Sequence, residues 1–148
     1  MLRLSKMTDY AVVVLAQLDD AEDGAVVTAP GLAAATGLGE PTVSKVLKIL
    51  AHAGLVEARR GATGGYRLAR PLAGMPLTEV IAAIDGPIAL TACVDSAAGF
   101  CDAEAKCPVR GRWDPVNDAI RRALSGISIA DLARVPAVVP HPDIVAAE

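Results

Sequence analysis

The sequence predicts a mainly α fold with a small β-hairpin wing: a winged helix-turn-helix domain followed by a long C-terminal dimerisation helix. Three observations predict it. Two short helical stretches meet across Gly37, with small residues where they would cross. A basic, glycine-rich hairpin follows directly after them. Towards the end of the chain, Trp113, Val116, Ile120, Leu124 and Ile127 recur at steps of three and four, the period of one helix face. Composition agrees: 53% of the 148 residues are apolar but only 3% are aromatic. The core must therefore be Leu, Val, Ile and Ala, which suits helices in close contact better than a sheet sandwich.

Taken in order, Ser5 can cap a first helix running to about Leu18. Its body, Tyr10 to Ala16, is apolar nearly all round, as in helices buried on every side, often between subunits. The acidic stretch Asp19 to Gly24 stops it. Thr28 can cap a second helix with Pro30 in its first turn, ended by Gly37. A third helix begins near Pro41 and stops at Gly54. Leu55 to Ala58 and Tyr66 to Leu68 read as strands around the turn Arg59 to Gly65, and Arg70-Pro71 closes the hairpin. Thr78 caps a fourth helix, Glu79 to Ile84, which Asp85-Gly86 ends. Ala92 to Pro108 has no periodicity and holds every cysteine. On the long helix, Asp118 and Arg122 stand in the favourable i, i+4 orientation, and the apolar stripe needs a partner, most economically a second copy of the chain. These elements divide the chain into a winged helix-turn-helix domain at 1–86 and a cysteine-containing loop at 87–108. A dimerisation helix with a short following helix occupies 109–133, and a mobile tail 134–148.

No run of about 18 uncharged apolar residues suggests a membrane span, and no signal-peptide pattern precedes the first helix. A cytoplasmic protein is expected, where disulfides are rarely structural. Two histidines, no nucleotide-binding glycine motif and no nucleophile–base pairing argue against an enzyme. Net charge is −3, but 41–70 carries Lys45, Lys48, Arg59, Arg60, Arg67 and Arg70 against Glu57. A basic block in an acidic chain is either a solvated face or a phosphate-facing surface.

A helix-turn-helix followed by a hairpin favours the second, an ordinary helical hairpin being the alternative. Ala33 and Gly37 supply the small residues of a tight crossing, while Val43, Val46, Leu32, Leu47 and Leu50 fill the core. The exposed residues of the third helix are then Thr42, Ser44, Lys45 and Lys48, hydroxyls and ammoniums suited to base edges and phosphates in the major groove of double-stranded DNA. In the wing, Arg59 and Arg60 can enter the minor groove, and Gly64 and Gly65, beside Tyr66, let backbone approach phosphate.

Cys93, Cys101 and Cys107 are spaced C-x7-C-x5-C. The close ligand pair usual in zinc sites is absent, as is a C-x-x-C redox motif. Three thiolates in an irregular loop suit an iron–sulfur cluster; three unligated cysteines are the alternative.

The run Ala53-Gly54-Leu55-Val56, then Arg60-Gly61, then Gly64-Gly65-Tyr66-Arg67-Leu68-Ala69-Arg70 resembles the winged-helix regulator family of IscR and NsrR. Leu4-Ser5-Lys6 with Asp9-Tyr10-Ala11, and Leu77 to Ile81 with Ile84-Asp85-Gly86, are also similar to it. The resemblance spans Met1 to about Leu132 and is closest to the branch regulating operons for SUF-type iron–sulfur assembly. It implies a homodimeric DNA-binding regulator, a repressor by preference, with an iron–sulfur cluster (2Fe–2S or 4Fe–4S) on Cys93, Cys101 and Cys107. IscR-like members have a histidine three residues after the last cysteine; here Arg110 stands there and cannot ligate. NsrR-like members use an aspartate of the partner subunit near its N-terminus, a position that Asp9 matches. Asp9 either completes the site in trans or only complements its helix dipole. Glu104 is a further candidate ligand, His141 a weaker one, and His52 reads as a phosphate or dipole contact. A cluster-free thiol switch, a nitric-oxide-responsive repressor and a structural zinc protein are the competing readings.

Overall fold

The computed structural model describes residues 3–22, 24–94 and 101–134. The expected tail, apart from Arg134, lies outside the described residues, as does 95–100 within the cysteine loop. The order is α1 (Lys6–Asp19), α2 (Ala29–Thr36), α3 (Glu40–His52), β1 (Val56–Arg59), β2 (Gly65–Leu68), α4 (Leu77–Asp85), α5 (Asp114–Ser125) and α6 (Ile129–Ala133).

Side-chain caps set the first two helices. Ser5 Oγ accepts the Thr8 N–H at 3.2 Å, and Thr28 Oγ1 accepts that of Gly31 at 3.1 Å, each satisfying a donor with no partner inside its helix. Gly37, at φ 74°, ends α2 in a left-handed conformation that costs glycine little. The turn points α3 back across α2, and α3 buries Val43, Val46, Leu47 and Leu50. These join Ala11, Val14, Leu15 and Leu18 of α1, Leu32 of α2, and Val80 and Ile81 of α4 in one core. α1 is therefore buried along one face and not all round: Val13 is exposed, and with Asp9, Val12, Ala16, Leu77 and Leu132 it lines an open groove of about 970 Å³.

The hairpin pairs β1 with β2 antiparallel, Val56 opposite Leu68 and Arg59 opposite Gly65. A third backbone segment joins it. Val27 and Tyr66 exchange two N–H···O bonds, both 2.8 Å, so β2 is held on both sides.

Three expectations differ in detail. α4 starts at Leu77 after Pro76, with no side-chain cap, and Thr78 lies inside its first turn. The Leu77 N–H instead donates to Ile127 O at 2.8 Å, so a distant segment does the work expected of a nearby hydroxyl. α5 ends at Ser125, before Ile127, and Asp118 pairs with Arg121 (3.9 Å) and not with Arg122. α6 folds back onto the first domain: Ile129 N–H donates to Met75 O at 2.8 Å, and Ile129 and Ala130 lie in the common core. No helix among the described residues is long and apolar enough to cross a membrane.

Candidate nucleic-acid interface and cysteine segment

The buried stripe of α3 turns Lys45 and Lys48 to solvent, with Thr42 and Ser44 half-buried beside them. Arg59 and Arg60 are exposed at the end of β1. The block's other two arginines are neutralised within the fold. Arg67 pairs across the strands with Glu57 at 2.7 Å. Arg70 pairs with Glu79 on α4, and its Nε donates to Gly74 O at 3.0 Å. Among the described residues, Lys45, Lys48, Arg59 and Arg60 make no ion pair. Their donors are thus available to phosphate oxygens, whereas Arg67 and Arg70 brace the wing.

Sterics dictate both wing glycines. A Cβ on Gly64 would lie 2.4 Å from Arg59 O, and one on Gly65 would lie 2.7 Å from Val27 O. Tyr66 has an anchoring role: its side chain packs against the core while its backbone bridges Val27. Sequence reasoning missed this because a single bridging residue leaves no strand pattern.

The cysteine segment leads from α4 to α5. All three cysteines are free thiols and half-buried. Thr91 Oγ1 lies 3.3 Å from Cys93 Sγ. From Cys101 onwards the chain winds in steps of three: Glu104 N–H to Cys101 O (3.0 Å), Cys107 N–H to Glu104 O and Arg110 N–H to Cys107 O (both 3.4 Å). These are successive turns and not one helix: the 3-10 turn covers only Glu104–Lys106, and Cys107 is extended. Arg110, at the position where IscR-like members have a histidine, forms an ion pair with Glu104 at 2.9 Å. Asp9 is exposed in the first turn of α1.

Among the described residues no three Cys, His, Asp or Glu side chains converge on a metal position. The structure therefore does not bring Cys93, Cys101, Cys107 and Asp9 of one chain together. In kind, three free thiols match the soft donors that an iron–sulfur cluster takes. Holding one requires the segment to draw them together.

Two polar joints flank this segment. Asp85, at the end of α4, accepts hydrogen bonds from Ser5 N–H (3.1 Å) and Thr8 Oγ1 (2.8 Å). Partial burial works to raise its pKa, but the hydrogen bonds from Ser5 and Thr8 outweigh that and hold it below its ordinary 3.8. Asn117 of α5 bonds the backbone at Ile88 and Leu90.

Comparison with known proteins agrees with this architecture. A family model described as Rrf2, iron-dependent transcriptional regulator, matches residues 4–135. The chain is 33% identical over 135 residues to the Rv1287 protein of Mycobacterium tuberculosis, covering 89% of this chain and 81% of that one. Among solved structures it is similar to CymR, the global cysteine regulator of B. subtilis, with TM-score 0.68 and 25% identity over 90% of this chain and 97% of that one. It is also similar to IscR of T. potens, with TM-score 0.62 and 27% identity over 88% and 85%.

Proposed function

The chain belongs to the Rrf2 family of transcriptional regulators, and from that premise we propose that it is a homodimeric repressor whose operator affinity is set by an iron–sulfur cluster. Its targets are operons for iron–sulfur cluster assembly. The observation that carries the DNA-binding half is the division of the basic block: two arginines paired at the surface with Glu57 and Glu79, and four cations on α3 and the wing that among the described residues make no ion pair. In a dimer, Lys45, Lys48, Thr42 and Ser44 would face the major groove of each half-site, and Arg59 and Arg60 the adjoining backbone or minor groove.

Cys93, Cys101 and Cys107 would hold the cluster, with Asp9 of the second subunit as the fourth ligand. Asp9 supports this reading by lying exposed on the groove along α1. The dimer reading is supported by the start of α5, where Trp113, just before the helix, and Val116 within it are 41% and 45% exposed. A bound cluster would supply a multivalent cross-link among the three thiolates. The chain does the rest. The cysteine segment is the joint between the DNA-binding body and α5, so its shape governs the spacing of two recognition helices, and a dimer reads two half-sites only at one spacing.

A second reading has one observation in its favour. The three thiols are free and do not converge, as a cluster-free thiol switch would have them. Anaerobic purification, with iron and sulfide analysis and a visible spectrum, separates the two. The cluster reading expects a coloured dimer with matching iron and sulfide, lost in Cys101→Ala. A colourless protein that takes up no iron on reconstitution overturns that reading and favours the switch.

A further inference from the structure

Asn117 is the only residue of α5 buried in the fold, at 2% exposure. Burying a primary amide is costly unless its donor and acceptor are both used. Here they are. Oδ1 accepts the Leu90 N–H and Nδ2 donates to Ile88 O, both at 3.0 Å. This two-bond clamp grips the backbone of the segment that leads to Cys93. Just past it, Val94 N–H reaches Thr91 O at 3.5 Å, closing a turn around Cys93, and Val94 itself is buried. At the other end of the same segment, Asp85 is tied to the start of α1 through Ser5 and Thr8. Residues 85–94 thus form a strap fixed to α1 at one end and to α5 near the other.

We infer that Asn117 is a positioning residue that passes a displacement at Cys93 to α5, and so to the relative placement of two DNA-binding bodies. An apolar side chain could fill the same space against the strap. An amide offers a donor and an acceptor together to backbone groups two residues apart, which an apolar side chain does not. Towards α4 the helix presents Ile120 and Leu124, and just past its end Ile127 O accepts the Leu77 N–H, so its far end is pinned to the fold and the clamp at Asn117 sets how its near end sits. The clamp cannot slide without breaking two hydrogen bonds. The inference rests on the regulatory reading above.

Two measurements on the full-length protein test it. In the metal-free dimer, the rate of alkylation at Cys93 is followed by mass spectrometry with Cys101 and Cys107 as internal references. Asn117→Leu is expected to raise the Cys93 rate about tenfold, the worth of one net hydrogen bond, while leaving the reference thiols unchanged. Operator affinity is then compared between iron-reconstituted and metal-free forms by fluorescence anisotropy. The ratio of the two affinities is expected to collapse towards one in Asn117→Leu, with the variant still dimeric. Asn117→Asp keeps an acceptor for Leu90 but sets a carboxylate oxygen against Ile88 O, and is expected to raise the Cys93 rate as well. It also carries both measurements if Asn117→Leu does not fold.

An unchanged Cys93 rate overturns the clamp. A raised rate with an undiminished affinity ratio overturns transmission. A wild-type protein whose two forms bind the operator equally overturns the regulatory reading and this role with it. That outcome is told apart because it fails before any variant is measured.

Discussion

The wing and the cysteine segment are both irregular stretches marked by special residues, yet the chain holds them by opposite means. The wing is bonded on both sides of β2, to β1 and to Val27, and its Gly64 and Gly65 are required by backbone atoms within 3 Å of where a Cβ would sit. The cysteine segment, from Cys101 onwards, is held among the described residues by bonds to groups three to six residues away in sequence, including an exposed ion pair between Glu104 and Arg110. An element cross-linked to the core presents its charges in a fixed array. One held by local turns opens at small free-energy cost and can respond to what binds it. Under the proposed function, that division gives reading to the wing and response to the segment.

The largest effect expected from this contrast comes from adding one methyl group to each region. Gly64→Ala must displace Arg59 O, which lies 2.4 Å from the new atom. Overpacking of that kind costs about 1–3 kcal/mol. Thermal denaturation should show that loss, and anisotropy should show operator binding weakened by about tenfold or more because Arg59 moves with its carbonyl. Gly111→Ala, in the cysteine segment, meets only Asp114 Oδ2 at 3.8 Å and carries the strain of φ 70°. Its cost should be about 1 kcal/mol. Equal losses at the two positions would erase the distinction between a fixed and a yielding region.

A smaller effect sharpens the wing's role. Replacing Arg59 and Arg60 together with alanine should leave stability within about 0.5 kcal/mol, since among the described residues neither makes an ion pair. The slope of log affinity against log salt should fall by about two, one for each phosphate that is no longer neutralised. Arg67→Ala should leave that slope unchanged, because Glu57 already neutralises Arg67. A slope unaffected by the double substitution would remove the wing from the DNA surface.

Most of the wing and the helix-turn-helix was legible because local chemistry determines them. Ser5, Thr28, Gly37 and Gly54 each end or begin an element by means that act within a few residues, and the apolar period of α3 selects its own buried face. What the sequence concealed was tertiary. α4 is started by Ile127 from far along the chain, β2 is flanked by a lone Val27, and α6 enters the core through only Ile129 and Ala130. None of these leaves a periodic trace. The free cations were legible as a cluster, but the two that are neutralised could be identified only once strand register set Glu57 opposite Arg67 and packing brought Glu79 to Arg70. Asn117 gave no signal at all, since one amide on a polar helix reads as surface.

The smallest effect lies at the boundary between the two regions, at Asp85. Its carboxylate accepts from Ser5 and Thr8, and its folded pKa lies below the ordinary 3.8. A depressed pKa means that the unfolded chain binds the proton more readily. The carboxylate's contribution is therefore complete above pH 3.8 and is lost as pH falls through the folded value. Hydrogen bonds to a charged acceptor are strong when buried, but Asp85 is exposed and screened, so Asp85→Asn should cost only about 0.5–1 kcal/mol at neutral pH. The gap between wild type and variant, followed by denaturant titration from pH 7 downward, should close only as pH falls through the folded pKa, which lies below 3.8, since both then carry a neutral side chain. If the gap instead persists unchanged into acid, the joint is held by shape and not by charge. The strap's attachment to α1 would then resemble the wing's fixed bonding, and the boundary between the fixed and yielding regions would move past Asp85 towards Cys93.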